Sequence, residues 1–305
     1  MIKKIVTSII ALLLLAYTSS AWYFSSEILY LGLTPCNVEH FVFCGDPSTQ
    51  DITFENVSFE TVDGFTIPAW YMPANILINK ENAEHVILLV HGRTASRHEG
   101  MRYAKTIIDA GYNVLAIDLR HPRQDPSIIS TMGYHEQKDV LAALDYLENV
   151  KGFDSIGVMG FSMGAATSIF VMAKDPRIKV GVFNGSYANT MDVLSEQAAI
   201  LYGLPRYPLI PLVELLFEWR GGLDSDEINP EKYIGQIAPR PIYIMHGTAD
   251  GTVNFSHGER LFTAANEPKQ FWKAEGGAHT RLWQFDKDKA ESSVVEFFNL
   301  NLSRH

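Results

Sequence analysis

Five residues carry the strongest chemical signal in this chain: Gly160-Phe161-Ser162-Met163-Gly164, a G-x-S-x-G pattern. A strand-like run, Ser155 to Gly160, leads into it, and the small residues Ala165-Ala166-Thr167 open a helix behind it. A serine on a sharp strand-to-helix turn presents its hydroxyl outward, and so tight a turn needs small flanking residues. A hydroxyl is a poor nucleophile until a base removes its proton. His279 is the expected base, on a loop after the last strand-like run, in Glu275-Gly276-Gly277-Ala278-His279. His246 and His257 are weaker candidates, because one ends a strand and the other falls in a helix start. The base needs an anionic orienter that fixes its tautomer and stabilises its charged form. Asp250 is the expected orienter, following a buried strand in His246-Gly247-Thr248-Ala249-Asp250 and preceding His279.

Attack on a carbonyl also needs N–H donors for the oxygen that becomes negative. The backbone N–H of Met163, directly after the nucleophile, is one expected donor. The other is the N–H of Arg93, in the loop His91-Gly92-Arg93-Thr94 that follows the apolar run Val86–Val90. The Arg93 side chain is expected to point to solvent or to pair with a local carboxylate, the alternative being that it meets a negative group of the substrate. No metal or cofactor is expected: the chain has no H-E-x-x-H and no Walker lysine motif, and His85, His91 and His98 are not spaced as helical ligands.

The elements that must position these residues alternate. Ile52–Glu60 and Phe65–Tyr71 flank Asp63-Gly64 and predict an antiparallel hairpin. Buried strands are expected at His85–Val90, Val114–Asp118, Ser155–Gly160, Lys179–Asn184 and Pro241–His246, with a short one at Gln270–Lys273. Helical stretches fall between them, at Met101–Ala110, Gln137–Leu147, Ala165–Ala173 and His257–Ala265, and Ala290–Phe298 closes the chain. Such alternation predicts an α/β fold: a mostly parallel mixed sheet with an N-terminal antiparallel hairpin and helices on both faces. Residues 187–234 break the alternation with an apolar stretch interrupted by Pro205, Pro208 and Pro211. This segment is expected to be a helical cap, its apolar side chains packing on the core or lining an acyl pocket.

The first thirty residues differ in character. Lys3 and Lys4 precede an apolar run from Ile5 to about Phe24, and no Lys or Arg follows until Lys80. About 20 apolar residues cross a bilayer as a helix, and lysines at its head stay on the cytoplasmic side. Residues 1–30 are therefore expected to be an uncleaved anchor, with Trp22, Tyr23 and Phe24 as an interfacial belt and the remaining chain extracytoplasmic. The alternative is a cleaved signal with Ser19 and Ala21 before the cut, giving a secreted or periplasmic protein. Residues 31–50 are read as a linker, in which Cys36 and Cys44 are expected to pair in an oxidising compartment. Residues 51–305 form the main domain.

Composition sets the outer bounds. The 305 residues suffice for a large core, and 25 Lys+Arg against 35 Asp+Glu leave a net charge of −10. That balance lacks the basic footprint of a nucleic-acid binder. Two cysteines are too few for a disulfide-built scaffold or a four-thiolate zinc site.

Taken in order, His91-Gly92, Asp118-x-Arg120, Gly160-x-Ser162-x-Gly164, His246-Gly247-x-x-Asp250 and Gly277-x-His279 resemble the alpha/beta-hydrolase superfamily. With its N-terminal anchor and compact cap, the chain is similar to membrane-anchored alpha/beta-hydrolase-domain proteins and their serine-aminopeptidase-like relatives. The resemblance covers about Ile52 to the C-terminus and implies an alpha/beta-hydrolase fold with Ser162, Asp250 and His279 as its triad. Two departures stand out. His121-Pro122-Arg123-Gln124-Asp125 replaces the glycine-rich turn that many relatives carry after Asp-x-Arg, and the lipase-type triple-glycine oxyanion loop is missing. The expected function is a serine hydrolase acting on hydrophobic acyl esters, with a small-molecule ester or lipid-like substrate. A peptidase or amidase is the alternative within the same chemistry, and a catalytically silent, membrane-tethered binding scaffold is the alternative outside it.

Overall fold

A computed structural model describes residues 2–75, 77–121 and 128–302. It opens with helix α1, Ile2–Leu29, followed by the single turn α2, Val38–Phe41. Strands β1, Glu55–Glu60, and β2, Thr66–Met72, form the hairpin about Gly64. Then follow β3, Val86–Val90; α3, Met101–Asp109; β4, Asn113–Ile117; α4, Gln137–Asn149; β5, Ile156–Phe161; α5, Met163–Lys174; and β6, Ile178–Asn184. Between β6 and the next strand lie α6, Thr190–Tyr202, α7, Leu209–Gly221, and the short α8, Pro230–Tyr233. The chain closes with β7, Ile242–Gly247; α9, Phe255–Ala264; β8, Lys269–Ala274; α10, Leu282–Phe285; and α11, Lys287–Asn301.

Among the described residues, eight strands form one sheet in the order β1-β2-β4-β3-β5-β6-β7-β8. β2 runs antiparallel to both β1 and β4, and every other pair is parallel. Parallel strands are buried on both faces because the helical crossovers cover them. β3 shows this fully, since all five of its residues are buried. Its side chains alternate between two cores. Leu88 and Val90 join Val140 and Leu144 of α4 and Ile169 and Phe170 of α5. Ile87 and Leu89 join Tyr103 and Ile107 of α3 and Val294 and Phe298 of α11. The mixed sheet, its antiparallel hairpin and its two helical layers match the expected fold class.

Helix α1 has two halves. Every residue from Ile2 to Ala16 is exposed, whereas Ala21, Ser25, Ile28 and Leu29 are buried against the body of the protein. The buried half packs along α7, where Arg220 stacks over the Trp22 ring at 4.0 Å and donates to the Ser26 hydroxyl at 2.9 Å. Phe24 meets Tyr202 of α6 edge-on, with ring centroids 5.1 Å apart. Two of the three expected belt aromatics thus touch the segment between β6 and β7. Residues 31–50 hold α2 and a 3-10 turn at Pro47–Gln50, and Cys36 and Cys44 are joined by a disulfide with Cα atoms 5.5 Å apart.

Candidate active site

Strands β5, β7 and β8 end on one edge of the sheet because all three run parallel. In open α/β sheets, ligands bind outside the carboxyl ends of the strands. Ser162, Asp250 and His279 stand on the loops that leave those three ends.

Ser162 is the turn residue between β5 and α5, with φ 50°. That value is uncommon for a residue with a side chain, and the surroundings hold it in place. Its N–H donates to the Asn184 carbonyl at 2.8 Å, and its own carbonyl accepts from the N–H groups of Ala165 and Ala166 at 3.0 and 3.1 Å. The flanking glycines are needed for space. A Cβ on Gly160 would sit 2.5 Å from the Ala165 Cα, and one on Gly164 would overlap the carbonyl oxygens of His91 and Val90. The pattern G-x-S-x-G therefore packs the turn against the loop after β3.

His279 lies between the other two residues. Its Nδ1 is 2.7 Å from Asp250 Oδ2 and its Nε2 is 3.0 Å from the Ser162 hydroxyl. The loop after β7 meets the loop after β8 through Ala249 N–H to the Gly277 carbonyl at 3.0 Å and Thr248 N–H to the Ala274 carbonyl at 2.9 Å. Asp250 Oδ1 is occupied by the N–H groups of Thr252 and Val253, each at 2.8 Å, which leaves Oδ2 directed at the imidazole. Burial alone would raise the Asp250 carboxyl. Hydrogen bonds from His246 and His279 outweigh it and hold the group well below the usual carboxylate range.

Met163 is the first residue of α5, so its N–H is among those a helix leaves without an intrahelical partner. Arg93 lies on the loop after β3, and both residues line the cavity into which Ser162 and His279 open. That cavity has a volume of about 540 Å³, within the range of small-molecule sites, and Tyr187 and Leu194 form part of its wall. The Arg93 side chain departs from expectation. Half-buried, it has no carboxylate partner among the described residues and donates to the carbonyls of Glu27 and Ile28 at 3.0 and 2.7 Å. The reason is the end of α1, whose last carbonyls lack intrahelical donors and attract a cation.

Several contributors were not legible in the sequence. Glu99 Oε2 accepts from the Gly92 N–H at 2.7 Å, and its other oxygen accepts from the Thr280 hydroxyl at 3.1 Å. Arg102 pairs with Glu99 at 3.3 Å and donates to the Thr280 carbonyl at 2.9 Å. Their spacing, i and i+3 on adjacent helical turns, is common on exposed helix faces and gave no sign of burial. His246 sits beneath Asp250, with Nε2 3.4 Å from Oδ2 and 2.9 Å from the Val253 carbonyl. His257 is placed elsewhere, with Nδ1 accepting from the Ala188 N–H at 3.1 Å and Nε2 near Glu196. In the segment 187–234, Ile210, Val213 and Phe217 are buried, whereas Leu215 and Trp219 are exposed. Of the loop after Asp118-x-Arg120, residues 122–125 lie outside the described residues. Among the described residues no group of His, Cys, Asp and Glu side chains is placed to hold a metal ion.

Sheet order, layers and strand-end loops together define a protein of the alpha/beta-hydrolase fold, the class that the ordered motifs resemble. A family profile for the alpha/beta hydrolase fold matches residues 85–210. Among curated proteins, the chain is similar to the uncharacterized protein YqkD of Bacillus subtilis, 26% identical over 252 residues that cover 80% of this chain and 82% of the relative. It is also similar to the uncharacterized protein YfhR of Escherichia coli K12, 22% identical over 74% of this chain and 73% of the relative. Among solved structures it resembles the Pyrococcus furiosus esterase Pf2001, with TM-score 0.68 and 23% identity over 90% of this chain and 99% of that one. The acylaminoacyl peptidase of Pyrococcus horikoshii matches with TM-score 0.63 and 14% identity, over 83% of this chain and 42% of that one.

Proposed function

We propose that this protein is a serine hydrolase that cleaves carboxylic esters of hydrophobic acids through an acyl-enzyme on Ser162. One observation carries the reading: the His279 imidazole contacts the Asp250 carboxylate at 2.7 Å and the Ser162 hydroxyl at 3.0 Å. This is hydrogen-bond reach for a nucleophile, its base and the base's orienter.

In the proposed reaction Ser162 Oγ attacks the ester carbonyl carbon, and the hydroxyl proton passes to His279 Nε2. The carbonyl oxygen becomes negative and accepts from the N–H groups of Met163 and Arg93. Collapse breaks the bond to the alcohol oxygen, which leaves with the proton from His279. Water then attacks the acyl carbon while His279 takes its proton. His279 returns that proton to Ser162 as the carboxylic acid departs. Asp250 stays ionised throughout and stabilises the imidazolium.

The ester class is supported by the apolar wall of the cavity and by the fold shared with the Pyrococcus furiosus esterase. An amide substrate is the second reading, supported by the fold shared with the acylaminoacyl peptidase. We place the catalytic domain outside the cytoplasm, tethered by α1, on the strength of Lys3 and Lys4 before the exposed apolar stretch and of the Cys36–Cys44 disulfide.

The test is fluorophosphonate labelling of the purified full chain in detergent, with the adduct mapped by mass spectrometry. A single adduct on Ser162, lost in Ser162→Ala together with turnover of acyl esters, is expected. Failure to label, or a Ser162→Ala variant that keeps the full esterase rate, would falsify the reading and leave the silent scaffold. Acyl esters of graded length assayed beside aminoacyl amides separate esterase from amidase.

A further inference from the structure

A second cavity, of about 160 Å³, adjoins the large one on the side of the N-terminal helix. Phe24 and Ile28 of α1 form one wall, Met191 and Ala198 of α6 another, and Ile210 and Val213 of α7 a third. Leu31, Arg93, Leu194, Gln197 and Leu201 line both cavities, so the smaller one lies directly beside the chamber that holds Ser162 and His279.

Two polar side chains at this junction have partners, although the Arg93 Nε has none among the described residues. The Arg93 guanidinium donates to the Glu27 and Ile28 carbonyls, and the Gln197 amide donates to the Thr252 carbonyl at 2.6 Å. The next carbonyl of the helix, that of Leu29, accepts from the Ser130 N–H at 2.8 Å. The body of the protein therefore supplies donors to the last turn of α1, which stands as a fixed wall. Glu27, Arg93, Gln197 and Tyr202 also line the recess, but most of its wall is apolar, from side chains such as Phe24, Ile28, Ile210 and Val213. It favours hydrocarbon, by about fourfold in affinity for each methylene removed from water.

We propose that the buried half of α1 belongs to the substrate site, and that the cavity between α1, α6 and α7 receives the hydrocarbon chain of an ester whose carbonyl stands at Ser162. The proposal rests on the serine-hydrolase reading and deepens it. It commits to this occupant for two reasons. The cavity shares five lining residues with the chamber of the proposed nucleophile, so a chain lying in it has only those side chains to pass to reach the reacting carbon. The same helix that walls it continues as the exposed, mainly apolar stretch Ile5 to Ala16, so an ester dissolved beside that stretch lies along the same helix.

The experiment compares wild type with Ala198→Trp, which fills the cavity from α6, and Ile28→Ala, which widens it from α1. Each full-length protein is assayed on acetyl, hexanoyl and dodecanoyl esters of 4-methylumbelliferone. The long ester is presented once in phosphatidylcholine vesicles and once in cyclodextrin. The quantity read is the ratio of kcat/KM for dodecanoyl over acetyl, in variants whose melting temperature shows them folded. Ala198→Trp is expected to lower that ratio at least about tenfold, and Ile28→Ala to move the preferred chain length upward. The presentation with the larger wild-type ratio identifies whether a bilayer or a soluble carrier supplies the substrate. A ratio unmoved by both substitutions overturns the proposal. Fluorophosphonate labelling of the same preparations keeps the two readings apart, since labelled protein with an unmoved ratio refutes only the acyl cavity.

Discussion

The Glu99 carboxylate accepts from the Gly92 N–H at 2.7 Å, directly behind the proposed nucleophile. Glu99 and Arg102 are 2% and 1% exposed, and through Thr280 they tie the loop after β3 to the loop after β8. The first loop carries Arg93 and the second His279, so one buried ion pair links the loop of the proposed oxyanion donor to the loop of the proposed base.

Breaking that pair should cost more than removing it. Glu99→Gln leaves a buried guanidinium without its anion, and a loss of about 3–5 kcal/mol is expected, with a lower kcat in whatever remains folded. Glu99→Gln combined with Arg102→Met removes both charges and should recover much of the stability. Thermal unfolding of the three proteins checks this, and a neutral Glu99→Gln alone would contradict it.

Asp250→Asn should lower kcat by about 10⁴-fold, because the imidazole loses the anion that fixes its tautomer. The same variant has a signed pH signature. Asp250 in the folded protein is held below the usual carboxylate range, so its contribution to stability is fully present above the unfolded pKa of about 3.9. It is lost as pH falls through the lower folded value. Urea unfolding across pH should therefore show the largest gap between wild type and variant near neutrality, and convergence in acid. A gap that grows below pH 4 would contradict the assignment.

Gly164→Ala should destabilise even though the position is helical. In an open helix the change favours folding by about 1 kcal/mol. Here the added methyl meets the backbone oxygens of Val90 and His91, which cannot turn aside as a side chain can. A loss of about 3 kcal/mol or more is expected, measurable as a lower melting temperature. An unchanged or higher melting temperature would mean that the turn is looser than its geometry states.

Reducing the Cys36–Cys44 disulfide should act on binding as well as stability. The bridge closes a short loop, with a sequence separation of 8, and a loss of about 2–3 kcal/mol is expected from loop entropy. Asn37, His40 and Phe41, which line the large cavity, lie inside that loop. Cys36→Ser with Cys44→Ser should accordingly raise KM for a long-chain ester more than it lowers kcat. Steady-state kinetics on the hexanoyl and dodecanoyl esters distinguish the two effects.

The local level of this fold was readable in the chain. The buried strands declared themselves as unbroken apolar runs such as Val86–Val90, and the helices as periodic stretches closed by Gly111 or opened by small residues. The serine turn was readable because its demand is local: a strand, a positive φ and two glycines lie within a few residues of Ser162. His279 and Asp250 could be named because chain order and loop position narrow the choice to few candidates. Their contact could not be read. It depends on three parallel strands ending on the same edge, which is a property of the sheet.

What the linear order of residues determined here is every feature whose cause spans a few neighbours: strand, turn, helix, the charged head of α1 and its apolar body. What only the tertiary structure decided is every feature whose partners lie far apart along the chain. Arg93 turned to the end of α1 because unpaired helix carbonyls stood there, 65 residues away in sequence at Ile28. Glu99 reached Thr280 across 181 residues for a similar reason, since a buried charge must find its partners wherever folding brings them. Desolvation acts on distance in space, and local propensity carries no record of it.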